Sequence, residues 1–305
     1  FFEYVAEVMG KPADEPYVMP VPMINVLNGG KHALNSSDFQ EYMLVPAGAT
    51  SFAEASRWAA ETFHTLKDIV REHGWPTTVG DEGGYAPPVT SNEAPLRLIM
   101  EALERAGYQP GEHFVIALDP AASEFHSDKG YLLARDGKIL STDEMVDRLV
   151  EWTAKYPIVS IEDGLGEEDW DGFAQLMART EGKVQIVGDD LFATNPTLVR
   201  QGIERKAANC VLIKANQIGT VTETIGTINL AREHGLTAII SHRSGETELP
   251  FEADFSVGTG VGQVKIGSLS RSERVAEYNE LMRIERSLGD KAVLARFPFP
   301  GRWAG

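Results

Sequence analysis

The sequence predicts an α/β fold, a TIM-like (β/α)8 barrel with an atypical ββαα(βα)6 order. Short apolar runs alternate with amphipathic helical patterns; residues 184–187 and 210–213, for example, enclose a helix that begins around Asn195 and Pro196. The distance from one run to the next fits a strand, a helix and two loops. Polar or charged residues follow these runs, as expected where parallel strands end at a functional site.

The beginning of the chain departs from simple βα alternation. Two predicted strands, 23–27 and 39–45, precede two predicted helices, 52–73 and 93–105. The first helix has a capping box from Ser51 to Glu54 and ends at Gly74, which supports its bounds. The stretch V-G-D-E-G-G-Y-A-P-P between the helices is too rich in glycine and proline for an element interior.

The rest of the chain supplies the remaining βα units. Apolar strands end at Leu118, Ile161, Val187, Ile213 and Ile240, and a hairpin at 130–140 precedes a helix at 143–155. A last unit, running from Phe255 through Lys265 to a helix at 270–288, brings the strand count to about eight. We expect one domain, with residues 19–305 forming the barrel and residues 1–18 the tail of an N-terminal region that this sequence lacks.

Composition limits the function classes. The chain has 305 residues, of which 43% are hydrophobic, so it can bury a full core. Its net charge of −17 argues against nucleic acid or an anionic membrane as the main partner, although a local basic pocket can still bind an anion. No apolar run is long enough to span a bilayer. The single Cys210 lies in an apolar strand and is expected to be buried and inert, in a reducing, cytoplasmic setting.

Three carboxylates predict a metal site. Asp119, Glu162 and Asp189 follow three neighbouring strands, and in a barrel these strand ends face one mouth. Such carboxylates repel one another unless a cation lies between them. Oxygen ligands without a Cys or His cluster favour Mg²⁺, with Mn²⁺ second. Beyond Glu162, the acidic run is interpreted as a solvated helix start.

Basic residues follow the neighbouring strands. Lys214 and Lys265 would lie beside the cation, where positive neighbours favour the neutral amine, so one of them is a candidate base; a salt bridge to the same carboxylates is the alternative. Arg243 and Ser244, in S-H-R-S-G-E-T, suggest an anion clamp, because barrels often bind phosphate after their last strands. Glu82 and Glu41 are candidates for an acid opposite the lysine.

Nine motifs together resemble one family, enolase. They run in order from about Met19 to Glu285 and are L-N-G-G-K-H-A-L-N, Q-E-Y-M, V-G-D-E-G-G-Y-A-P, A-L-D-P-A-A-S-E-F, S-I-E-D-G-L, V-G-D-D-L, L-I-K-A-N-Q-I-G-T, S-H-R-S-G-E-T and G-Q-V-K-I-G-S. The run S-L-S-R-S-E-R after Lys265 is similar to the bacterial branch. The resemblance implies a C-terminal catalytic barrel.

The resemblance also implies a reaction, the reversible dehydration of 2-phosphoglycerate to phosphoenolpyruvate in glycolysis and gluconeogenesis. Lys214 would remove the C2 proton, and Mg²⁺ with Lys265 would stabilise the resulting enediolate. Glu82, supported by Glu41, would protonate the departing hydroxyl. The remaining implied roles are metal binding by Asp119, Glu162 and Asp189, a phosphate grip by Arg243 and Ser244, and completion of the pocket by Gln40, His32 and His242.

Further expectations follow from the family. A second Mg²⁺ would depend on a serine loop of an N-terminal domain, to which nothing in this sequence corresponds. The resemblance implies a homodimer or higher homo-oligomer and a cytoplasmic location, with cell-surface or secreted forms and moonlighting partners also known in the family. Two alternatives remain: a non-catalytic binding role for the barrel, and another reaction of the superfamily such as racemisation, which the phosphate clamp and Glu82 disfavour.

Overall fold

A computed structural model describes residues 1–33 and 35–303. Leu34, inside the glycine-rich motif, and the last two residues of the predicted barrel domain lie outside the described residues. The helices are α1 (Phe2–Val8), α2 (Phe52–Glu72), α3 (Ala94–Ala106), α4 (Thr142–Lys155), α5 (Trp170–Arg179), α6 (Pro196–Arg205), α7 (Ala215–Ile218), α8 (Val221–Glu233), α9 (Phe251–Thr259) and α10 (Ser272–Leu288). The strands are β1 (Tyr17–Met19), β2 (Val21–Asn28), β3 (Glu41–Val45), β4 (Val115–Asp119), β5 (His126–Ser127), β6 (Gly130–Leu133), β7 (Lys138–Leu140), β8 (Ile158–Glu162), β9 (Gln185–Gly188), β10 (Cys210–Ile213), β11 (Thr237–Ser241), β12 (Gln263–Lys265) and β13 (Ala292–Leu294).

Eight strands close into a barrel in the order β10-β11-β12-β2-β3-β4-β8-β9. β3 is antiparallel to both of its neighbours, and the other neighbouring pairs are parallel. The predicted α/β barrel with an irregular beginning is therefore confirmed. The antiparallel direction of β3 also brings its first residue, Glu41, opposite Asp119, the last residue of β4. The start of β3 thus lies at the same mouth as the ends of the parallel strands.

Local sequence signals account for the starts of three helices. The Ser51 side chain accepts a hydrogen bond from the backbone N–H of Glu54 at the start of α2. Ser141 and Glu144 form a full capping box at the start of α4. The Asn195 side chain accepts from the backbone N–H of Thr197, and Pro196 opens α6.

Two small sheets and the helix α9 are present in addition to the predicted elements. β1 pairs in parallel with β13, and β5 joins the predicted hairpin of β6 and β7. The sequence places the last unit from Phe255 through Lys265. In the structure, α9 occupies residues 251–259, so the strand of this unit comprises only Gln263–Lys265. Gly260, with φ +62, ends α9 in the left-handed conformation, which lets the chain turn into β12.

The barrel interior is a packed apolar core. Met23, Met43, Leu212 and Ile239 are buried there, and Cys210 is buried with them, as predicted. Burial raises the pKa of the Cys210 thiol, so this side chain stays protonated. Within 1–33 and 35–303, none of the helices combines the length and apolar character needed to cross a membrane.

Candidate active site

A polar cavity of about 480 Å³ opens at the carboxyl end of the parallel strands. Every predicted site residue except Glu162 lines this cavity, together with residues that the sequence did not single out. The predicted residues that line it are His32, Gln40, Glu41, Glu82, Asp119, Asp189, Lys214, His242, Arg243, Ser244 and Lys265. The structure thus brings together side chains from the barrel strands and from the irregular beginning of the chain.

Lys265 forms a buried ionic cluster in this cavity. Its Nζ lies 2.9 Å from Asp119 Oδ2, 2.8 Å from Glu162 Oε1 and 3.0 Å from Glu41 Oε1. Burial alone lowers the pKa of Lys265, but these three carboxylates outweigh it and raise the pKa well above its usual value. In this cluster Lys265 is therefore a charged ammonium.

Lys214 forms a second ion pair beside the first. Its Nζ donates to Asp189 Oδ2. Burial lowers the pKa of Lys214, but the Asp189 and Glu162 carboxylates more than compensate and raise it. The salt bridge to a carboxylate, the alternative expected for this lysine, is present in the structure. The role of Lys214 as a base beside a cation stays a prediction. A divalent cation on the same carboxylates would remove much of the negative charge that raises the pKa of Lys214.

Asp163 is a buried carboxylate that sequence reasoning missed. It follows Glu162 directly, and its backbone has φ +39. Its Oδ1 accepts from the backbone N–H of Asp189 at 3.0 Å, and its Oδ2 accepts from that of Asp190 at 2.7 Å. The predicted solvated helix start after Glu162 is thus wrong for residues 163–166, which are buried. Asp163 fixes the backbone that carries Asp189.

Glu82 lines the same cavity from the loop between α2 and α3. Asn25 donates to its Oε2 at 3.0 Å, and its Oε1 lies 3.4 Å from His242 Nε2. Burial raises the pKa of Glu41 well above its usual value, and the Glu82 charge raises it further. Burial also acts to raise the pKa of Glu82, but the basic groups around it, including Lys265, outweigh that effect and lower the pKa.

His242 is a neutral imidazole between Glu82 and a buried arginine. Burial lowers its pKa, the Glu82 charge opposes this effect and the charge of Arg274 reinforces it, with a net pKa of about 3. Arg274 Nη1 lies 2.7 Å from His242 Nδ1. Arg274 does not line the cavity, and nothing in its helical pattern distinguishes it from a surface arginine of α10.

The predicted anion clamp lies at the rim. Arg243 donates from Nη1 to Asn216 Oδ1 at 3.2 Å, and in the described part of the chain no carboxylate oxygen lies within 4.0 Å of its guanidinium nitrogens. Ser244 is exposed beside it. Gln40 Nε2 lies 3.5 Å from Asp119 Oδ2, and His32 Nδ1 lies 3.7 Å from Glu82 Oε2.

Two groups of described residues have ligand atoms within 4.8 Å of one another: His32 with Glu41 and Glu82, and Asp163 with Asp189 and Asp190. Of the predicted metal ligands, Asp189 belongs to one of these groups, while Asp119 and Glu162 face the Lys265 ammonium instead. Glu162 Oε2 is buried and has no hydrogen-bond partner among the described residues. A buried carboxylate oxygen without a hydrogen-bond partner is suited to bind a cation, so these carboxylates fit a Mg²⁺ site.

A comparison with protein-family models gives an independent result. The model described as the enolase C-terminal TIM barrel domain matches residues 16–299, nearly the whole chain. The barrel topology, with an antiparallel strand between β2 and β4, agrees with that match. The bacterial branch suggested by the run around Ser270 stays a prediction. The match confirms the predicted family: this chain belongs to the enolase family through its C-terminal TIM barrel domain.

Proposed function

We propose that this protein catalyses the reversible removal of water from 2-phosphoglycerate to give phosphoenolpyruvate, the carbon–oxygen lyase reaction of enolases. The observation that carries the proposal is that one cavity holds a lysine, Lys214, together with a carboxyl pair, Glu41 and Glu82, in which Glu41 has a raised pKa. A reaction that takes a proton from one carbon and gives a proton to a leaving hydroxyl on the next needs a base and an acid so placed.

The carboxylates Asp119, Glu162 and Asp189 would hold Mg²⁺. Their oxygen chemistry suits this ion, and the unpaired Glu162 Oε2 supports a cation beyond the two lysines. When bound, Mg²⁺ offsets the negative charge that the substrate carboxylate gains as the C2 proton leaves. Lys265 adds a fixed ammonium at the same point, which costs no reorganisation during the reaction.

Lys214 takes the C2 proton in this proposal. Its ammonium nitrogen lies at the end of β10, with Asp189 holding the side chain in place. Glu82 gives the proton that the departing C3 hydroxyl needs, and Glu41, the member of the pair with the raised pKa, supplies that proton to Glu82. In the reverse direction, Glu82 takes a proton from the water that adds to C3, and Lys214 returns a proton to C2.

Arg243 and Ser244 bind the phosphate in this proposal, with Gln40 and His32 closing the pocket. The guanidinium of Arg243 is available to an anion because its side-chain partner is the neutral amide of Asn216. Binding at this rim fixes the substrate between Lys214 and Glu82. The homo-oligomeric state and cytoplasmic location implied by the family, and a second Mg²⁺, belong to the same proposal.

Two variants of the purified protein separate the base from the acid. Lys214→Ala is expected to lower kcat for phosphoenolpyruvate formation by about 10²- to 10⁴-fold. Exchange of the C2 proton with deuterated solvent should be lost with it. Glu82→Gln is expected to lower phosphoenolpyruvate formation by a similar factor but to retain that exchange, because Lys214 remains.

Lys183→Ala is the matched control. Lys183 is exposed and pairs with Glu181 away from the cavity, so this variant should keep the parent rate. An unchanged rate of phosphoenolpyruvate formation in Lys214→Ala would refute the assignment. Loss of proton exchange in a folded, metal-binding Glu82→Gln would instead contradict the division of roles.

A further inference from the structure

Arg274, near the start of α10, is buried and bonded to the active-site loops. Its Nη1 donates to His242 Nδ1 at 2.7 Å and to the Arg243 carbonyl at 2.8 Å. Its Nη2 donates to the Ser244 carbonyl at 2.9 Å and to the Asp81 carbonyl at 3.4 Å. The four N–H groups of its two terminal nitrogens therefore all contact the segments that carry Glu82, His242 and the phosphate clamp.

An ordinary ion pair does not account for this arginine. Among the described residues, the nearest carboxylate oxygen is Glu273 Oε1, which lies 4.0 Å from Nε. A guanidinium that is fully buried but bonded to neutral acceptors costs desolvation energy that a carboxylate does not offset. Gly267, with φ +84, makes room for it, since a Cβ there would lie 2.7 Å from Arg274 Cδ. The arrangement costs stability, which points to a role in the site.

The contact with His242 determines where the imidazole proton lies. A guanidinium has five N–H donors and no acceptor, so Nδ1 of His242 must accept with its lone pair. In a neutral imidazole the proton is then on Nε2. Nε2 is the nitrogen that faces Glu82, at 3.4 Å from Oε1. His242 Nε2 is buried and has no hydrogen-bond partner among the described residues, so its N–H is a free donor beside the Glu82 carboxyl group.

We propose that Arg274 is a positioning residue that holds His242 in the Nε2–H tautomer and thereby directs a hydrogen-bond donor at Glu82. By bonding the carbonyls of Asp81, Arg243 and Ser244, it also holds the acid loop and the phosphate clamp in one arrangement. The tautomer assignment rests on the contacts alone. Its catalytic consequence rests on the proposed function of Glu82 as the acid.

The tautomer is measured directly by ¹⁵N NMR of the histidine side chains at neutral pH, with the His242 signals assigned by loss in His242→Gln. In the wild-type protein, Nδ1 should have the shift of an unprotonated nitrogen and Nε2 that of a protonated one. In Arg274→Met, the preference for Nε2–H should fall about tenfold, which is the ratio that one hydrogen bond to a charged donor supports. Arg274→Lys retains one donor and should recover part of the preference.

Tyr278→Phe is the matched control, because Tyr278 is buried on the same helix and donates to the Gly267 carbonyl without contacting His242. It should leave the His242 shifts unchanged. An Nδ1–H tautomer or a doubly protonated ring in the wild-type protein overturns the proposal, whether or not Arg274→Met folds. An unaltered tautomer in folded Arg274→Met overturns it as well.

Kinetics test the consequence separately. With Mg²⁺ present, Arg274→Met should lower kcat for phosphoenolpyruvate formation more than it raises KM, and Arg274→Lys should recover part of the loss in kcat. If the tautomer changes as expected but kcat does not, Arg274 sets the tautomer without positioning the acid. If the wild-type tautomer is as expected while Lys214→Ala keeps full activity, the proposed function fails and the tautomer assignment stands.

Discussion

Lys265 and Glu162 form a buried ion pair, with Nζ 2.8 Å from Oε1, at the point where the sequence predicts a metal ion. The same ammonium also contacts Asp119 and Glu41. Lys265 thus supplies the positive charge next to three carboxylates that are buried away from water. Lys265 is therefore the central counter-charge of this carboxylate cluster.

Replacing Lys265 by Met should destabilise the metal-free protein. The change leaves three buried carboxylates without their cation, and removal of one member of a buried ion pair costs about 3–5 kcal/mol of unfolding free energy. Mg²⁺ should restore more stability to this variant than to the wild type, since the ion then supplies the missing charge. Urea unfolding with and without Mg²⁺ measures both effects.

Lys214→Met provides the comparison, because Lys214 contacts one carboxylate, Asp189, instead of three. Its loss of unfolding free energy should be smaller than that of Lys265→Met. Equal losses, or a Lys265→Met variant as stable as the wild type without Mg²⁺, would contradict the assignment of Lys265 as the central counter-charge.

Asp163→Asn should weaken Mg²⁺ binding. Both Asp163 oxygens accept backbone N–H groups from Asp189 and Asp190, and an amide can offer only one acceptor oxygen there. Loss of a group that orients a metal ligand typically lowers metal affinity by about 10- to 100-fold. Asparagine tolerates the positive φ of this position, so backbone strain does not explain the effect. Isothermal titration calorimetry with Mg²⁺ measures the affinity.

The exposed Glu167 supplies a control for this measurement, since Glu167→Gln removes a nearby charge without removing an acceptor from the Asp189 backbone. Its Mg²⁺ affinity should remain close to that of the wild type. A comparable weakening in both variants would attribute the effect to net charge and not to the orientation of Asp189.

The strand-end residues were predictable because parallel strands place their last residues at one edge, so Asp119 and Lys214 follow from periodicity alone. Long-range contacts were not predictable in this way. Arg274 looks like any charged residue of an amphipathic helix, and its burial depends on Gly267 and on loops distant in sequence. The prediction of a solvated helix start is wrong at Asp163 because its two hydrogen bonds join it to the end of a different strand.

The buried carboxyl group of Glu277, on α10, should make stability depend on pH. Burial and the neighbouring Glu252 raise the pKa of Glu277 from its ordinary 4.5 to about 9. Between these values the folded chain keeps the proton and the unfolded chain loses it, so the unfolding free energy falls as pH rises through that window. The slope from one such group is at most about 1.4 kcal/mol per pH unit.

Glu277→Gln should flatten this dependence, because the amide does not titrate. Urea unfolding at pH values across the window, compared between variant and wild type, isolates the contribution of Glu277. Glu280→Gln, on the same helix but paired with Arg283, should keep the wild-type slope. If Glu277→Gln and the wild type lose stability in parallel as pH rises, Glu277 is not protonated in the folded protein.

Gly29 in the loop after β2 should not tolerate a side chain, even though its backbone lies in the extended region. A Cβ built there would lie 2.3 Å from the Phe39 carbonyl oxygen and 2.6 Å from that of Ser37. These backbone atoms cannot move without shifting Gln40, whose carbonyl accepts from the Gly29 N–H at 2.9 Å. Gly29→Ala should therefore lower the unfolding free energy by about 1–3 kcal/mol.

The same substitution at Gly226 is expected to change the unfolding free energy in the opposite direction. Gly226 is exposed within α8, and a Cβ there meets no atom of the described residues within 4 Å. Alanine should raise the unfolding free energy by about 0.5–1 kcal/mol, because it favours the helix and reduces the freedom of the unfolded chain. Urea unfolding of both variants should give shifts of opposite sign. Stabilisation by Gly29→Ala would mean that the loop holding Gln40 and Glu41 is looser than its contacts indicate.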